Sequence, residues 1–145
     1  MKNLALVTLS FITIMACAAP PSDQKNGLRK LTLGKQQLRL IDEKGRCTLI
    51  HSALPPLRLD MQWPCNFSES LKNEIRIEKF RSAQIVMVER SEPLPPPSKL
   101  CLTDLQAVRL FRGKLEASPV SRIGACLPRH WDQKNFVWRF DWRTT

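Results

Sequence analysis

The strongest constraint on this chain is a two-residue hydrophobic rhythm, repeated in short runs between turn residues. Leu31 and Leu33 alternate with Lys30 and Thr32, and after Gly34-Lys35 the pattern resumes with Leu38, Arg39 and Leu40. Asp42-Glu43-Lys44-Gly45 supplies a turn, and Cys47 and Leu49 then alternate with Arg46 and Thr48. Successive side chains of a strand point to opposite faces, so this rhythm gives one buried and one wet face. The glycine-containing interruptions are hairpin signals. His51 continues the phase of Cys47 and Leu49 and is expected to point inward as a structural histidine.

The rhythm returns after Pro55-Pro56, where Leu57, Leu59, Met61 and Trp63 share one face until Pro64-Cys65 stops the strand. Asn66-Phe67-Ser68 matches a glycosylation acceptor, a short pattern that also arises by chance. Ile75 to Arg90 reads as a hairpin. Its second strand contains Ile85-Val86-Met87-Val88, an unbroken apolar run that suits a central strand covered on both faces. Glu92 to Pro97 holds four prolines. Such a segment is extended and excluded from a ladder, and is expected to divide the domain into halves with one cysteine pair each.

Beyond it, Gln106–Phe111 and Lys114–Ala117 flank the turn Arg112-Gly113. A helix over 103–111 is the weaker alternative, because its apolar residues leave no clean helical stripe. At the C-terminus, Phe136, Trp138, Phe140 and Trp142 fall on one side of an expected closing strand, with Val137, Arg139, Asp141 and Arg143 on the other. The aromatic stripe is expected to face the core. The competing reading is an exposed platform for sugar rings, with arginines for anionic groups. The residues of that candidate ligand surface are Arg129, His130, Trp131, Trp138, Arg139, Trp142 and Arg143. The expected fold class is mostly β, a small antiparallel sandwich or partly open barrel of about seven to nine short strands with two disulfides.

Five cysteines stand at 17, 47, 65, 101 and 126. An odd number in an exported chain needs an explanation. If Cys17 is taken by another chemistry, four remain, and they allow three pairings. The sequential one, Cys47–Cys65 with Cys101–Cys126, is favoured. Neither pair has the C-x-x-C spacing of a redox or zinc site.

The leader supplies the other chemistry. Lys2-Asn3 is followed by an uncharged apolar run from Leu4 to Ala16, and then by Cys17-Ala18-Ala19-Pro20. This is the pattern of an export signal. Ile14-Met15-Ala16-Cys17 resembles the lipobox of bacterial lipoproteins, in which cleavage precedes the cysteine and the cysteine carries lipid. The resemblance implies a signal peptide over residues 1–16, lipidation at Cys17 and a lipidated tether over 17–27. A single β-rich domain then fills 28–145. Ala18 after the cysteine implies delivery to the outer membrane, facing the periplasm. The alternative is an ordinary small-x-small cleavage at Ala16-Cys17-Ala18, giving a secreted or free periplasmic protein. The apolar run is too short for a bilayer-crossing helix of about 20 residues.

The full chain carries a formal charge of +10, and loss of Lys2 with the leader leaves about +9. The basic residues are spread roughly one every six positions, with no dense block of the kind that binds nucleic acid. A solvated surface accounts for such a spread. Attraction to phosphates or carboxylates of the envelope is the sharper reading.

Catalytic motifs are scarce. His130-Trp131-Asp132 places an imidazole near a carboxylate in sequence, and Ser118 or Ser121 could complete a triad, but no nucleophile elbow supports it. No metal-ligand spacing, phosphate-binding glycine loop or cofactor motif is present. The expectation is therefore a non-catalytic protein without cofactor or metal, anchored to the membrane by lipid. It binds an envelope protein as an assembly component or as an inhibitor or immunity protein. The alternative is a binding module for an anionic polymer, peptidoglycan or lipopolysaccharide.

Overall fold

The computed structural model describes residues 29–143. The leader, Cys17 and the tether lie outside the described residues. The fold is mostly β and antiparallel, with two sheets packed face to face and a C-terminal layer behind the second. The first sheet is a meander of β1 (Lys30–Leu33), β2 (Gln36–Glu43), β3 (Arg46–His51) and β4 (Leu57–Gln62), in that spatial order. The second is centred on two eleven-residue strands, β7 (Ala83–Pro93) and β8 (Cys101–Phe111). β5 (Asn66–Phe67) and β6 (Ile77–Phe80) pair with β7, while β9 (Lys114–Ala117) and β10 (Ser121–Ile123) pair with β8. The ten strands exceed the expected seven to nine because two of them, β5 and β10, have only two and three residues.

The two-residue rhythm does what it predicts. Leu33, Leu38, Leu40, Leu49, Leu59 and Met61 of the first sheet meet Val86, Val88 and Val108 of the second in one buried cluster. The unbroken run in β7 serves two cores. Val86 and Val88 face the first sheet, whereas Ile85 and Met87 join Leu105, Ala107, Phe111, Phe136 and Val137 on the other side. The edge strand β4 reaches the second sheet through Gln106, whose Oε1 accepts from Asp60 N–H at 2.7 Å and whose Nε2 donates to Ser118 C=O at 2.8 Å. A buried side-chain amide thus takes up backbone groups left over by β4 and by the loop after β9.

Three expectations are corrected. The proline segment does not divide the domain: it is the tip of the long β7–β8 hairpin, and Pro93 sits opposite Cys101 at its end. The first sheet already ends at Gln62, so the boundary between sheets falls well before the prolines. The C-terminus is not a closing strand. It forms α1 (Gln133–Val137), followed by an irregular tail. Asp132 caps α1 by accepting from Asn135 N–H at 3.0 Å. Aromatic spacing of two residues also contains a spacing of four, so it fits one side of a helical turn as well as a strand. The third correction is His51, which is only half-buried; its Nδ1 accepts from Ala53 N–H at 2.9 Å. A ring that close to the strand end is used by the following turn.

Both disulfides have the sequential pairing, Cys47–Cys65 and Cys101–Cys126. The first is wholly buried in the main cluster. The second joins the start of β8 to the loop after β10, where Cys126 is exposed. Asn66 of the glycosylation-like tripeptide accepts from Arg29 Nε, and Ser68 is buried.

Candidate functional site: two ends of unlike charge

Strand direction gives the sandwich two distinct poles. β1 runs towards the turn Gly34-Lys35, β6 towards Arg81-Ser82, and β8 towards Arg112-Gly113. These three turns meet at one pole. Gly34, at φ +62°, lies directly over the second sheet: a Cβ there would stand 3.2 Å from Leu110 Cδ2 and 3.5 Å from Gln84 Oε1. Glycine is needed both for the left-handed backbone and for that approach.

This pole carries Lys35, Lys79, Arg81, Arg112 and Lys114, all exposed, and the three turns contain no carboxylate. The carboxylates nearest in sequence are already engaged: Glu78 with Arg76 at 2.5 Å, and Glu116 with Arg109 at 2.7 Å. A pocket of about 410 Å³ opens between the turns, lined by Lys79, Arg81, Ser82, Gln84, Arg112 and the glycines of two turns. Cations gathered at one pole raise the local positive potential there.

The opposite pole gathers charge of both signs. There the β7–β8 hairpin runs past the first sheet, and the residues facing the sheet change from valine to Arg90, Glu92, Asp104 and Gln106. Asp104 is only 6 % exposed and accepts two bonds from the exposed Arg122, at 2.7 and 3.2 Å. The pair raises the Arg122 guanidinium further above its usual value. Glu92 pairs with Arg90 at 3.0 Å. Lys44, Arg46, Gln62 and Trp63 form the facing wall of an open cleft of about 760 Å³. Both disulfides also lie towards this pole, at the start of β3 and the start of β8.

The seven residues of the sequence-derived surface do not form one face. Trp131 is buried, and its Nε1 donates to Glu89 Oε2 at 2.9 Å across the second core. Trp142 is half-buried: it packs edge-on against Phe80 at 4.8 Å, and its Nε1 donates to Val137 C=O at 2.8 Å. Arg139 Nε donates to Asn135 C=O at 2.7 Å and its Nη1 to Ser121 Oγ at 2.5 Å, and half-burial lowers its pKa. Arg129 and His130 are exposed, and Arg143 is exposed beside Asp141 at 3.2 Å. Only Trp138 stands out as an exposed ring, at 77 %, with Lys134 Nζ 5.5 Å from its centroid. The core reading of the stripe therefore holds for Phe136, Phe140 and Trp142, Trp131 is buried in the same core, and the platform reduces to Trp138.

The second core also holds a cation that sequence reasoning passed over. Arg109 is buried, and its guanidinium sits 5.3, 4.7 and 4.8 Å from the rings of Phe111, Phe140 and Trp142. It ties the C-terminal tail to β8 by cation–π attraction, which strengthens away from water. No sequence pattern distinguishes an arginine of this kind from its solvated neighbours.

Of the residues considered for a triad, His130 is exposed, and the two serines and the aspartate are in structural use. Ser118 Oγ accepts from Ala107 N–H at 3.0 Å and donates to Pro119 C=O at 3.0 Å, Ser121 holds Arg139, and Asp132 caps α1. Among the described residues no group of three or more His, Cys, Asp or Glu side chains is placed to hold a metal ion. None of the described helices is long and apolar enough to cross a membrane. Comparison of the chain with protein families, with characterised proteins and with solved structures returns no match.

Proposed function

We propose that the chain is a lipid-anchored, non-catalytic binding protein of the cell envelope that engages an anionic polymer through its cationic pole. The observation that carries this reading is the segregation of charge: Lys35, Lys79, Arg81, Arg112 and Lys114 share a pole whose turns hold no carboxylate. A surface charged only for solubility has no reason to separate its cations from its anions in this way. A polymer such as peptidoglycan or lipopolysaccharide offers repeated negative groups to such a patch. The anchor rests on Ile14-Met15-Ala16-Cys17 and on the pairing of the other four cysteines, which leaves Cys17 over.

The test is co-sedimentation of the full chain with each polymer at low and high salt. Contacts between exposed charges are screened within about 3 Å at 1 M ionic strength, against about 30 Å at 0.01 M. Binding is therefore expected to collapse as salt rises. Binding that survives high salt would reject the reading. Mass spectrometry of the processed N-terminus reads the anchor, with acyl mass on Cys17 expected and an unmodified Ala19 start opposed to it.

A second reading, an assembly component or inhibitor with a protein partner, is favoured by Trp138. A tryptophan exposed to 77 % at the C-terminal cap of a short helix is costly in water and is a common anchor of protein interfaces. Salt-resistant capture of a single envelope protein, lost in Trp138→Ala, would put this reading first.

A further inference from the structure

At the pole of mixed charge the β7–β8 hairpin ends in a wet apolar tip. Leu94 and Leu100 continue the register of Pro93 and Cys101, with Leu94 N–H donating to Leu100 C=O at 2.9 Å. By the two-residue rhythm, Leu94, Leu100 and Leu102 share the side on which Val86, Val88 and Val108 meet the first sheet. The end of the first sheet faces Arg90, Glu92 and Asp104 across the open cleft, and the tip lies beyond them. Leu100 is therefore left 63 % exposed and Leu102 38 %. Glu92, opposite Leu102, has its charge met by Arg90 at 3.0 Å.

The tip also carries few free backbone donors. Four of the eight residues 93–100 are prolines, which have no N–H. Three of the other four have theirs bonded: Leu94 to Leu100 C=O, Ser98 to Pro95 C=O at 3.1 Å, and Leu100 to Ser98 Oγ at 3.1 Å. An apolar medium penalises an unpaired backbone donor heavily, so such a tip enters one at low cost. The prolines fix φ, and little backbone freedom remains to be lost on docking. The exposed Lys99 has a stem that lies along apolar surface while its ammonium stays in water.

We propose that this tip inserts Leu100 and Leu102 into the boundary between headgroups and acyl chains of the bilayer that holds the anchor. The inference rests on Cys17 being lipidated, and it adds which pole meets the membrane. Arg29, where the described chain begins, is held at the same pole: it stacks 4.5 Å from the Trp63 ring, and its Nε donates to Asn66 Oδ1 at 3.2 Å. Eleven residues, 18–28, separate it from Cys17. At most ~3.6 Å each, they span no more than about 40 Å. A lipid on Cys17 thus keeps the bilayer within reach of the pole that the leucines crown. A protein partner adding a strand would need edge donors that the prolines do not supply.

The experiment reconstitutes the full chain, processed and acylated, in phosphatidylcholine vesicles whose acyl chains carry bromine, which quenches tryptophan on contact. Leu100→Trp and Leu102→Trp are read against the parent protein and against Leu71→Trp, a position 82 % exposed between β5 and β6. Leu100→Trp is expected to lose the most emission, Leu102→Trp less, and Leu71→Trp no more than the parent. That order is expected to hold in about 1 M salt, where contacts between exposed charges are screened within about 3 Å. All three changes are at exposed side chains, and an unaltered thermal melt confirms that they fold. Equal quenching of Leu100→Trp and Leu71→Trp, or quenching that needs anionic lipid and low salt, overturns the insertion. So does salt-resistant capture of one envelope protein that Leu100→Ser abolishes, if lipid leaves the tip unquenched. Flotation with the vesicles and the mass of the processed N-terminus read the anchor separately. A chain that floats with an unquenched tip overturns this inference alone. A chain with no acyl mass on Cys17 overturns the anchor and the insertion together.

Discussion

The two poles of the sandwich are made by the same device, strands reversing direction, yet they treat charge in opposite ways. At one, Asp104 meets Arg122 and Glu92 meets Arg90, and two disulfides close the structure. At the other, three short turns present lysine and arginine alone, over a floor of packed apolar residues. The basic residues are spread evenly along the sequence. The hairpin repeat, and not the order of residues, brings five of them together at one pole. Local charge density in a β-sandwich thus depends on which turns share a pole, a quantity that net charge does not report.

The contrast can be broken in four ways, taken from the largest expected effect to the smallest. Removing the buried cross-link with Cys47→Ser and Cys65→Ser should cost about 3 kcal/mol in the chain-entropy model, read by denaturant unfolding. Under mild reductant the exposed Cys126 makes Cys101–Cys126 the bond expected to open first, so thiol labelling should appear at 101 and 126 before 47 and 65. Labelling in the reverse order would contradict the burial difference between the two bonds.

Neutralising two cations with Lys79→Gln and Arg112→Gln should weaken polyanion binding by about 2 kcal/mol, roughly thirtyfold, at about 1 kcal/mol per basic residue near an anionic surface. Lys44→Gln with Arg46→Gln at the other pole removes the same charge and should have a much smaller effect. Equal losses would show that total charge, and not its placement, drives binding.

Gly34→Ala adds a Cβ 3.2 Å from Leu110 at a positive φ, and should destabilise by about 1–2 kcal/mol in a thermal or denaturant melt. The same change at Gly45, whose Cβ would meet nothing within 4 Å, isolates the backbone cost from the packing cost.

The smallest effect concerns acid. Arg58 holds the exposed Glu43 carboxylate below its ordinary pKa of 4.5 by a hydrogen bond of 2.8 Å. A depressed folded pKa means stability that is present above 4.5 and lost as pH falls through the lowered value. Glu43→Gln should therefore lower stability slightly at neutral pH and converge with the parent protein at the most acid values, read by denaturant melts across pH.

Much of this architecture is legible in the residues because a half-buried strand writes its geometry as alternation. Leu38 and Leu40 against Arg39, and the unbroken Ile85-Val86-Met87-Val88, announce one covered face and two covered faces respectively. The C-terminus is not legible in this way. Phe136, Trp138, Phe140 and Trp142 satisfy period two, but the cap at Asp132 and the burial of adjacent Phe136 and Val137 favour a helical turn. The cationic pole was also hidden. Lys35, Lys79 and Arg112 are far apart in sequence, and only the joining of two sheets makes them neighbours. Turn positions flanked by alternating residues were the available signal, since each of these three turns has a cation within or beside it and no acid.

The direction of β1 has a mechanical consequence. The described chain enters at Arg29, which stacks 4.5 Å from the Trp63 ring at the paired pole, and β1 then runs towards the cationic one. Eight-residue β2 spans about 26 Å at ~3.3 Å per residue. A pull between an upstream attachment and a ligand on the far pole therefore acts along the strands. Ladder bonds of antiparallel strands lie across that direction, so the load falls on several of them together in shear and does not unzip them one at a time. If it were attached at one pole and loaded at the other, the sandwich would act as a stiff spacer.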